Sequence, residues 1–267
     1  MNYKNEHIQV VSRAGKILAV QMVGKSTAPT IMFSNSLGTD HAMWQSQVAQ
    51  LKQTYQIITY DTRGHGKSEV AKSNQLKDLA EDVIDILNAL EIKKVHFCGI
   101  SMGGLTALWL GIYQAERFHS ITIANSAAKI WNEEGWNTRA DDVERHGLDG
   151  LVASTHQRWF SDSFDYKHDD VAQLAIQSLK DTNPQGYADA CRVLARANLQ
   201  DNISVISIPT LIIAGKTDPV TTINDATFMH EHIVGSQLYL IDASHLSNVE
   251  QPECFTRALD SFIKSIQ

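Results

Sequence analysis

Three side chains in this sequence have the types and order needed for acyl transfer: Ser101, Asp218 and His245. Ser101 lies in residues 99–104 (Gly-Ile-Ser-Met-Gly-Gly), which fit the pattern Gly-x-Ser-x-Gly. A serine hydroxyl becomes a nucleophile when an imidazole takes its proton and a carboxylate orients that imidazole. Asp218 and His245 each come directly after a later apolar run, as Ser101 does. We therefore predict a Ser–His–Asp catalytic triad.

The segments around Ser101 favour a sharp turn between a strand and a helix. Residues 95–98 form a short apolar run typical of a buried strand, and residues 105–110 are apolar as in a buried helix. Gly99 and Gly103 leave room for a tight turn, and the helix start directs free N–H groups at developing negative charge. The alternative is a glycine-rich turn with an incidental serine, but the strand before the turn and the helix after it favour a nucleophile elbow.

A nucleophilic serine also needs two N–H donors for the oxyanion that forms during the reaction. We expect the backbone of Met102 to supply one donor. We expect the backbone of Leu37, in the polar loop of residues 34–40, to supply the other. The sequence shows no phosphate-binding loop, no dinucleotide glycine pattern and no metal-type cluster of histidines and cysteines. It therefore predicts a reaction that uses no cofactor and no metal.

Strand-like and helix-like segments alternate over most of the chain. An alternating stretch up to about residue 24 predicts an opening antiparallel hairpin. Apolar runs typical of buried strands follow at residues 30–33, 57–60, 95–98, 121–124, 208–215 and 238–241. Helical spacing separates them, most clearly over residues 75–90. This order predicts an α/β fold with a mostly parallel twisted sheet and helices on both faces, whose strand ends share one crevice.

The alternation stops within residues 128–202, where no strand is indicated. Helical spacing in this segment is clearest at Val171, Leu174, Ala175 and Leu179. We predict that residues 1–127 and 203–267 form the N-terminal and C-terminal parts of the α/β core, and that residues 128–202 form a helical cap or lid. Such an insertion could cover the pocket and exclude water, or it could be a packed helical layer with no role in the site.

Composition and charge restrict the remaining function classes. With 267 residues, of which 43% are hydrophobic, the chain suits one globular domain with an insertion. The net charge of −7 disfavours partners such as nucleic acids and anionic membranes, and an anionic substrate would need a local cation. Three widely spaced cysteines and the lack of an apolar signal segment favour a soluble cytoplasmic protein. Nothing in the sequence indicates an oligomeric state.

Five segments together resemble the α/β-hydrolase superfamily over nearly the whole chain. They are residues 34–40, 60–68, 99–104, 215–218 and 243–247. Within that superfamily the chain is most similar to the 3-oxoadipate enol-lactonases of the β-ketoadipate pathway of aromatic degradation. The loop Ser-Asn-Ser-Leu-Gly-Thr and the segments 136–140 and 143–148 carry this narrower resemblance. It implies a serine hydrolase that opens a small anionic enol-lactone to 3-oxoadipate through an acyl-serine intermediate.

The carboxylate of such a substrate needs a positively charged partner. Arg139 is our candidate, with Trp136 as an apolar wall beside it, although an arginine of a solvated helix is the plain alternative. Residues 35–38 (Asn-Ser-Leu-Gly) occupy the place where the family more often has a histidine–glycine pair. Because only the backbone is needed there, the departure does not weaken the prediction for Leu37.

Other activities of the same fold share the triad and stay open on the sequence alone. They are a general small-ester hydrolase, a carbon–carbon bond hydrolase and a cofactor-free haloperoxidase or perhydrolase. A ligand-binding receptor of this fold is a further alternative, less favoured because the insertion has few exposed apolar runs. Fold does not decide among these functions.

Overall fold

The computed structural model describes residues 4–73 and 75–266, and its centre is one eight-stranded sheet. The strands are β1 (Lys4–Val11), β2 (Ile17–Gly24), β3 (Thr30–Ser34), β4 (Gln56–Tyr60), β5 (Val95–Ile100), β6 (Phe118–Ala124), β7 (Thr210–Gly215) and β8 (Gln237–Ile241). Their order in the sheet is β1-β2-β4-β3-β5-β6-β7-β8. The β1–β2 and β2–β4 pairs are antiparallel, and the remaining pairs are parallel. The α/β fold class and the opening hairpin are confirmed.

The burial of each strand explains its sequence pattern. Every residue of β3, β4, β5 and β7 is buried, because helices cover both faces of the central sheet. Strand β2 alternates between half-buried and buried residues, as expected where one face lies nearer to solvent. Strand β8 lies at the edge of the sheet, and only Ile241 in it is buried. The central strands therefore appear in the sequence as continuous apolar runs.

Helices connect the strands and form the layers on either side of the sheet. They are α1 (Gln45–Leu51), α2 (Leu76–Ala89), α3 (Met102–Tyr113), α4 (Glu133–His146), α5 (Asp149–Trp159), α6 (Asp170–Asp181), α7 (Pro184–Arg196), α8 (Ile223–His232), α9 (Ser247–Glu250) and α10 (Pro252–Ser265). Helix α3 is apolar on all sides and almost entirely buried. Of the helices in the described ranges, none has the length and apolar character required to cross a membrane.

Helices α4 to α7 lie between β6 and β7 in the chain, where helices and no strand were predicted. Helix α4 packs along α7, and α5 packs against α6. The buried residues of α6 are Ala172, Ala175 and Leu179, whereas Leu174 is 38% exposed. The apolar face of α6 is thus rotated slightly from the predicted one. The end of α5 is joined to the core by the Leu246 N–H, which donates to the Trp159 carbonyl at 2.9 Å.

Candidate active site

Ser101 occupies the turn between β5 and α3 in a backbone conformation that L residues avoid. Its φ is 55° and its ψ is −115°. A Cβ on Gly99 would lie 2.0 Å from the Gly103 carbonyl oxygen, and one on Gly103 would lie 2.3 Å from the Ser34 oxygen. The turn can therefore be this tight only because these two flanking positions carry no side chain. The surrounding sheet holds the strained residue, whose N–H donates to the Ala124 carbonyl at 2.9 Å.

The three predicted triad residues come together at the carboxyl ends of β5, β7 and β8. The Ser101 Oγ lies 2.9 Å from His245 Nε2, and His245 Nδ1 lies 2.8 Å from Asp218 Oδ2. All three residues are buried. The carboxylate accepts the Nδ1–H proton, which leaves Nε2 as the acceptor for the serine proton. The arrangement can activate a nucleophilic serine.

Several donors keep Asp218 ionised inside the protein. Thr221 donates its hydroxyl to Oδ2 at 2.8 Å, and the N–H groups of Val220 and Thr221 donate to Oδ1 at 2.8 and 3.1 Å. Burial works against the charge. Interaction with the His245 ring, together with hydrogen bonds from Asn125 and Thr221, outweighs burial and holds the pKa of Asp218 below its ordinary value. Asp218 is therefore a stable anion that can orient the imidazole at neutral pH.

Asn125 is a polar residue of the site that sequence reasoning missed. It directly follows β6 and is buried, with a φ of 41°. Its Nδ2 donates to Asp218 Oδ2 and to the Ser244 carbonyl, both at 3.0 Å. Its Oδ1 accepts a hydrogen bond from the hydroxyl of Ser247. Asn125 thus joins the aspartate and the histidine loop, and its position at a strand end was the only signal for it.

The loop after β3 and the start of α3 are tied together beside Ser101. The Gly103 N–H donates to the Asn35 carbonyl at 3.1 Å, and the Asn35 side chain donates to the Tyr60 carbonyl at 2.8 Å. Leu37 lines the same cavity as Ser101, and Met102 is the first residue of α3. The backbone of both predicted oxyanion donors therefore belongs to segments next to the nucleophile.

A cavity of about 230 Å³ opens onto the triad and is roofed by the helices between β6 and β7. Its lining includes Leu37, Trp136, Arg139, Arg158, Trp159 and Tyr187. This volume lies below the roughly 300–1,000 Å³ typical of pockets for drug-sized ligands. The site therefore fits a small substrate.

Two guanidinium groups make this cavity positive although the protein is acidic. Arg139 extends from α4 and Arg158 from α5. Burial, and then repulsion by Arg139, lower the pKa of Arg158. Within residues 4–73 and 75–266 neither arginine forms an ion pair with a carboxylate, whereas Arg192 pairs with Asp141 and Glu144. Arg139 was predicted, but Arg158 was missed because no motif surrounds it. Together they can bind an anionic ligand.

One other cluster brings metal-binding types of side chain together. Ligand atoms of Asp40, His41 and Asp61 lie within 4.8 Å of one another. The side chains of all three residues already form hydrogen bonds with nearby groups. Asp40 accepts the Ala42 N–H at 2.8 Å, and Asp61 accepts the Lys67 N–H at 2.9 Å and contacts His41 Nδ1 at 2.7 Å. Hydrogen bonding to Asp61 raises the pKa of His41. These contacts are explained by capping of the turn and stabilisation of the loop after β4.

The chain matches known proteins over nearly its whole length. A family model described as alpha/beta hydrolase fold matches residues 29–252. The chain is 65% identical over 260 residues to a protein of Acinetobacter baylyi named 3-oxoadipate enol-lactonase 1, covering 97% of this chain and 98% of that protein. A second protein of that organism, named 3-oxoadipate enol-lactonase 2, is 43% identical over 242 residues, covering 90% and 91% of the two chains.

Similarity at the level of structure is equally extensive. The crystal structure of an enol-lactonase from Burkholderia xenovorans superposes with a TM-score of 0.93 at 33% sequence identity. The match covers 96% of this chain and 100% of that one. The likeness therefore includes the helices between β6 and β7 as well as the sheet.

Proposed function

Since the chain belongs to the α/β-hydrolase family, we propose that it is a serine hydrolase that opens 3-oxoadipate enol-lactone to 3-oxoadipate in aromatic-compound degradation. One observation carries the proposal: a Ser101–His245–Asp218 arrangement faces a small cavity that also contains Arg139 and Arg158. A pocket for a neutral ester has no need of two guanidinium groups, whereas a lactone with a carboxylate arm does. The similarity to two proteins named 3-oxoadipate enol-lactonase supports the same substrate.

In the proposed acylation step, Ser101 Oγ attacks the lactone carbonyl carbon while His245 Nε2 accepts the serine proton. Asp218 stabilises the resulting imidazolium through Nδ1–H. The oxyanion accepts hydrogen bonds from the backbone N–H groups of Leu37 and Met102. Removing one oxyanion donor typically lowers kcat roughly 100- to 1,000-fold, so these two amides would supply a large share of the rate.

Breakdown of the tetrahedral intermediate cleaves the ring C–O bond and forms the acyl-serine. The leaving oxygen departs as an enolate, which takes up the proton held by the His245 imidazolium and becomes the ketone, so that the imidazole is neutral again. An enolate leaves more readily than an alkoxide, and formation of the ketone makes ring opening effectively irreversible. A water molecule then gives a proton to neutral His245 and attacks the acyl carbon, and His245 returns this proton to Ser101 Oγ as the acyl C–O bond breaks. This step releases the dicarboxylate and restores Ser101.

The charge of the ligand changes during this reaction. The lactone carries one carboxylate, whereas the open-chain product carries two. We assign the carboxylate of the lactone arm to Arg139, with Trp136 as the apolar wall beside it. Arg158 adds a second positive charge to the cavity and would attract the anionic lactone as well, since charge–charge interactions are strengthened where water is excluded.

Residues 128–202 act in this proposal as a lid between the core segments 1–127 and 203–267. The lid closes the site above the triad and supplies both arginines. A cavity covered in this way limits the size of the acyl group and restricts the access of water until acylation is complete. We further propose a cytoplasmic location, where such a catabolic step would take place.

The loss of enol-lactone ultraviolet absorbance tests the proposed reaction. The purified protein should consume the lactone, and Ser101→Ala should reduce turnover by roughly 10⁴- to 10⁶-fold because the nucleophile is absent. Ser261→Ala, at an exposed position of α10, serves as the matched control and should retain the parent rate. Lactone turnover that survives in Ser101→Ala would contradict the acyl-serine mechanism.

A panel of other substrates separates the alternatives that share the triad. A neutral p-nitrophenyl ester turned over faster than the lactone would indicate a general esterase. Faster peroxide-dependent halogenation would indicate a perhydrolase, and faster cleavage of a diketone would indicate a carbon–carbon bond hydrolase. Binding of the lactone without turnover would indicate a receptor. Each of these results would replace the proposed function.

A further inference from the structure

We propose that Trp131 is a positioning residue that holds the guanidinium of Arg139 towards the substrate carboxylate and thereby gives the site its preference for anions. The inference rests on the proposed function for the identity of the anion. It concerns a side chain that lies outside the triad, outside the oxyanion loop and outside the sequence motifs.

The first observation is the way in which Arg139 is held. Its Cζ lies 5.1 Å from the centroid of the Trp131 ring and 4.8 Å from that of Trp136. The two indoles are 5.5 Å apart and inclined at 78° to each other. A guanidinium over aromatic faces is attracted to them through their electron density, and this attraction uses none of its five N–H donors, although the Arg139 side chain also forms a hydrogen bond with Tyr187. The indoles therefore hold Arg139 in place without neutralising its charge, whereas a carboxylate partner would neutralise it.

The second observation is the backbone of Trp131. Its φ of 56° lies in the left-handed region, where a bulky residue is unfavourable. The residues on both sides are anchored: the Trp136 indole donates to the Ile130 carbonyl at 2.7 Å, and Asn132 caps α4 by accepting the Gly135 N–H at 2.8 Å. A strained conformation that its surroundings enforce at the edge of a site indicates a functional constraint.

The third observation is the contact between Trp131 and the first turn of α4. A Cβ added to Gly135 would lie 2.4 Å from two atoms of the Trp131 ring. Glycine lowers helix stability relative to alanine, so its presence within α4 works against the helix. The close approach of the indole explains why a residue without a side chain stands there. Gly135 thus leaves the space that the Trp131 ring needs in order to contact Arg139.

The fourth observation is the location of Trp131 between the cavity and solvent. Its side chain is 50% exposed, yet it lines both the triad cavity and an outer groove that includes Thr138, Asp142 and Leu151. Displacing the indole would let water reach Arg139 and would weaken its attraction for a carboxylate. A neutral ligand of similar size would lose much less. The expected signature is therefore a loss specific to anions.

Steady-state kinetics with an anionic and a neutral substrate test this role. Trp131→Ala should raise KM for the enol-lactone about tenfold, equal to about 1.4 kcal/mol, with kcat within about threefold of the parent. Its kcat/KM for p-nitrophenyl acetate should stay within about twofold. Trp131→Phe should recover most of the lost affinity. Equal losses on both substrates would mean that Trp131 only packs against α4 and would overturn the proposal.

Gly135→Ala provides a test that leaves the indole in the protein. The new methyl group should displace the ring and raise KM for the lactone in the same direction, while helix α4 gains propensity and the thermal midpoint does not fall. Trp109→Phe, at an indole on α3 whose ring centroid lies 4.8 Å from that of Tyr113, is the matched control and should leave both substrates unaffected. A parental KM in Gly135→Ala would contradict the proposed contact.

If Trp131 acts through Arg139, the effect of replacing Trp131 should disappear when Arg139 is already replaced. This dependence can be measured without turnover of the lactone. Butanoate should inhibit p-nitrophenyl acetate hydrolysis more strongly than butanamide in the parent protein. That preference should fall about tenfold in Trp131→Ala and at least as much in Arg139→Gln, and the double variant should show no loss beyond that of Arg139→Gln. An undiminished preference in Trp131→Ala would overturn the inference, whereas failure of the lactone assay alone would affect only the proposed substrate.

Discussion

Replacing Asn125 with glycine should slow catalysis without changing substrate binding. Asn125 contacts no reacting atom, but it donates to Asp218 and to the backbone of the histidine loop. Glycine adopts the local φ of 41° without strain, so the variant removes the side chain alone. The measured loss can then be attributed to the amide rather than to the backbone.

The size of the effect follows from the bonds that are removed. The bond to the Asp218 carboxylate, 3.0 Å long, is of the charged class worth about 1.5–3 kcal/mol. The bond to the Ser244 carbonyl and the bond from the Ser247 hydroxyl are neutral, and each adds about 0.5–1.5 kcal/mol. The free energy of unfolding should therefore fall by about 2.5–6 kcal/mol. Only the part of the carboxylate bond that strengthens in the transition state changes kcat, so kcat should fall by a factor of up to about 150.

Urea unfolding gives the stability of this variant, and steady-state assays give its kcat and KM. The enol-lactone and a neutral ester should lose kcat by the same factor, because both reactions use the triad. Asn125→Asp is the informative comparison: it keeps the shape but places a second carboxyl group beside Asp218, and should reduce kcat further at neutral pH. A glycine variant with parental kcat would refute the assigned role of Asn125.

Three further perturbations have defined outcomes. Gly103→Ala places a Cβ 2.3 Å from the Ser34 carbonyl oxygen and should lower the free energy of unfolding by about 1–3 kcal/mol or more. Gly150→Ala is the control, because no atom lies within 4 Å of its Cβ, and it should not lower that free energy. Equal thermal midpoints for the two variants would contradict the steric argument. Arg158→Gln should raise KM for the anionic lactone about tenfold and leave a neutral ester unaffected; an equal change on both substrates would remove Arg158 from anion binding. The folded-state pKa of Asp218 lies below its ordinary value of 3.8, so its ionisation stabilises the fold above about that pH, and this contribution is lost as pH falls through the folded pKa. The difference in unfolding free energy between the parent and Asp218→Asn should shrink over that acidic range, and a difference independent of pH would oppose the assignment.

The triad could be predicted from the sequence because its signals are local: glycines around a tight turn, and polar residues at the ends of apolar strands. The elbow around Ser101 depends on glycines within a few residues of it, so its signal is contained in one short segment. Asp218 and His245 were predictable because each directly follows an apolar strand, and parallel strands present their carboxyl ends at one edge. Leu37, Trp136 and Arg139 also line the cavity, and their roles as oxyanion donor, apolar wall and anion-binding residue stay predictions.

The residues that were missed depend on contacts between distant segments. Arg158 becomes part of the site only because α5 folds back over the sheet, and Asn125 matters through partners 93 and 119 residues further along the chain. In α6 the prediction followed the larger side chain of Leu174, whereas the buried positions include the small Ala172 and Ala175. Small residues face a neighbour where packing is close, and the spacing of large apolar residues does not reveal that face.

The insertion of helices α4 to α7 between β6 and β7 has a consequence for the evolution of such proteins. The Leu199 N–H donates to the Ala128 carbonyl at 2.8 Å, so the helical segment between these two residues departs and returns at one point beside the sheet. Any replacement whose two ends meet in this way could be grafted at the same junction. Helices α4 to α7, which lie over Ser101, can be exchanged while the central sheet stays intact. Substrate choice and bond-breaking chemistry are thereby free to diverge separately during evolution.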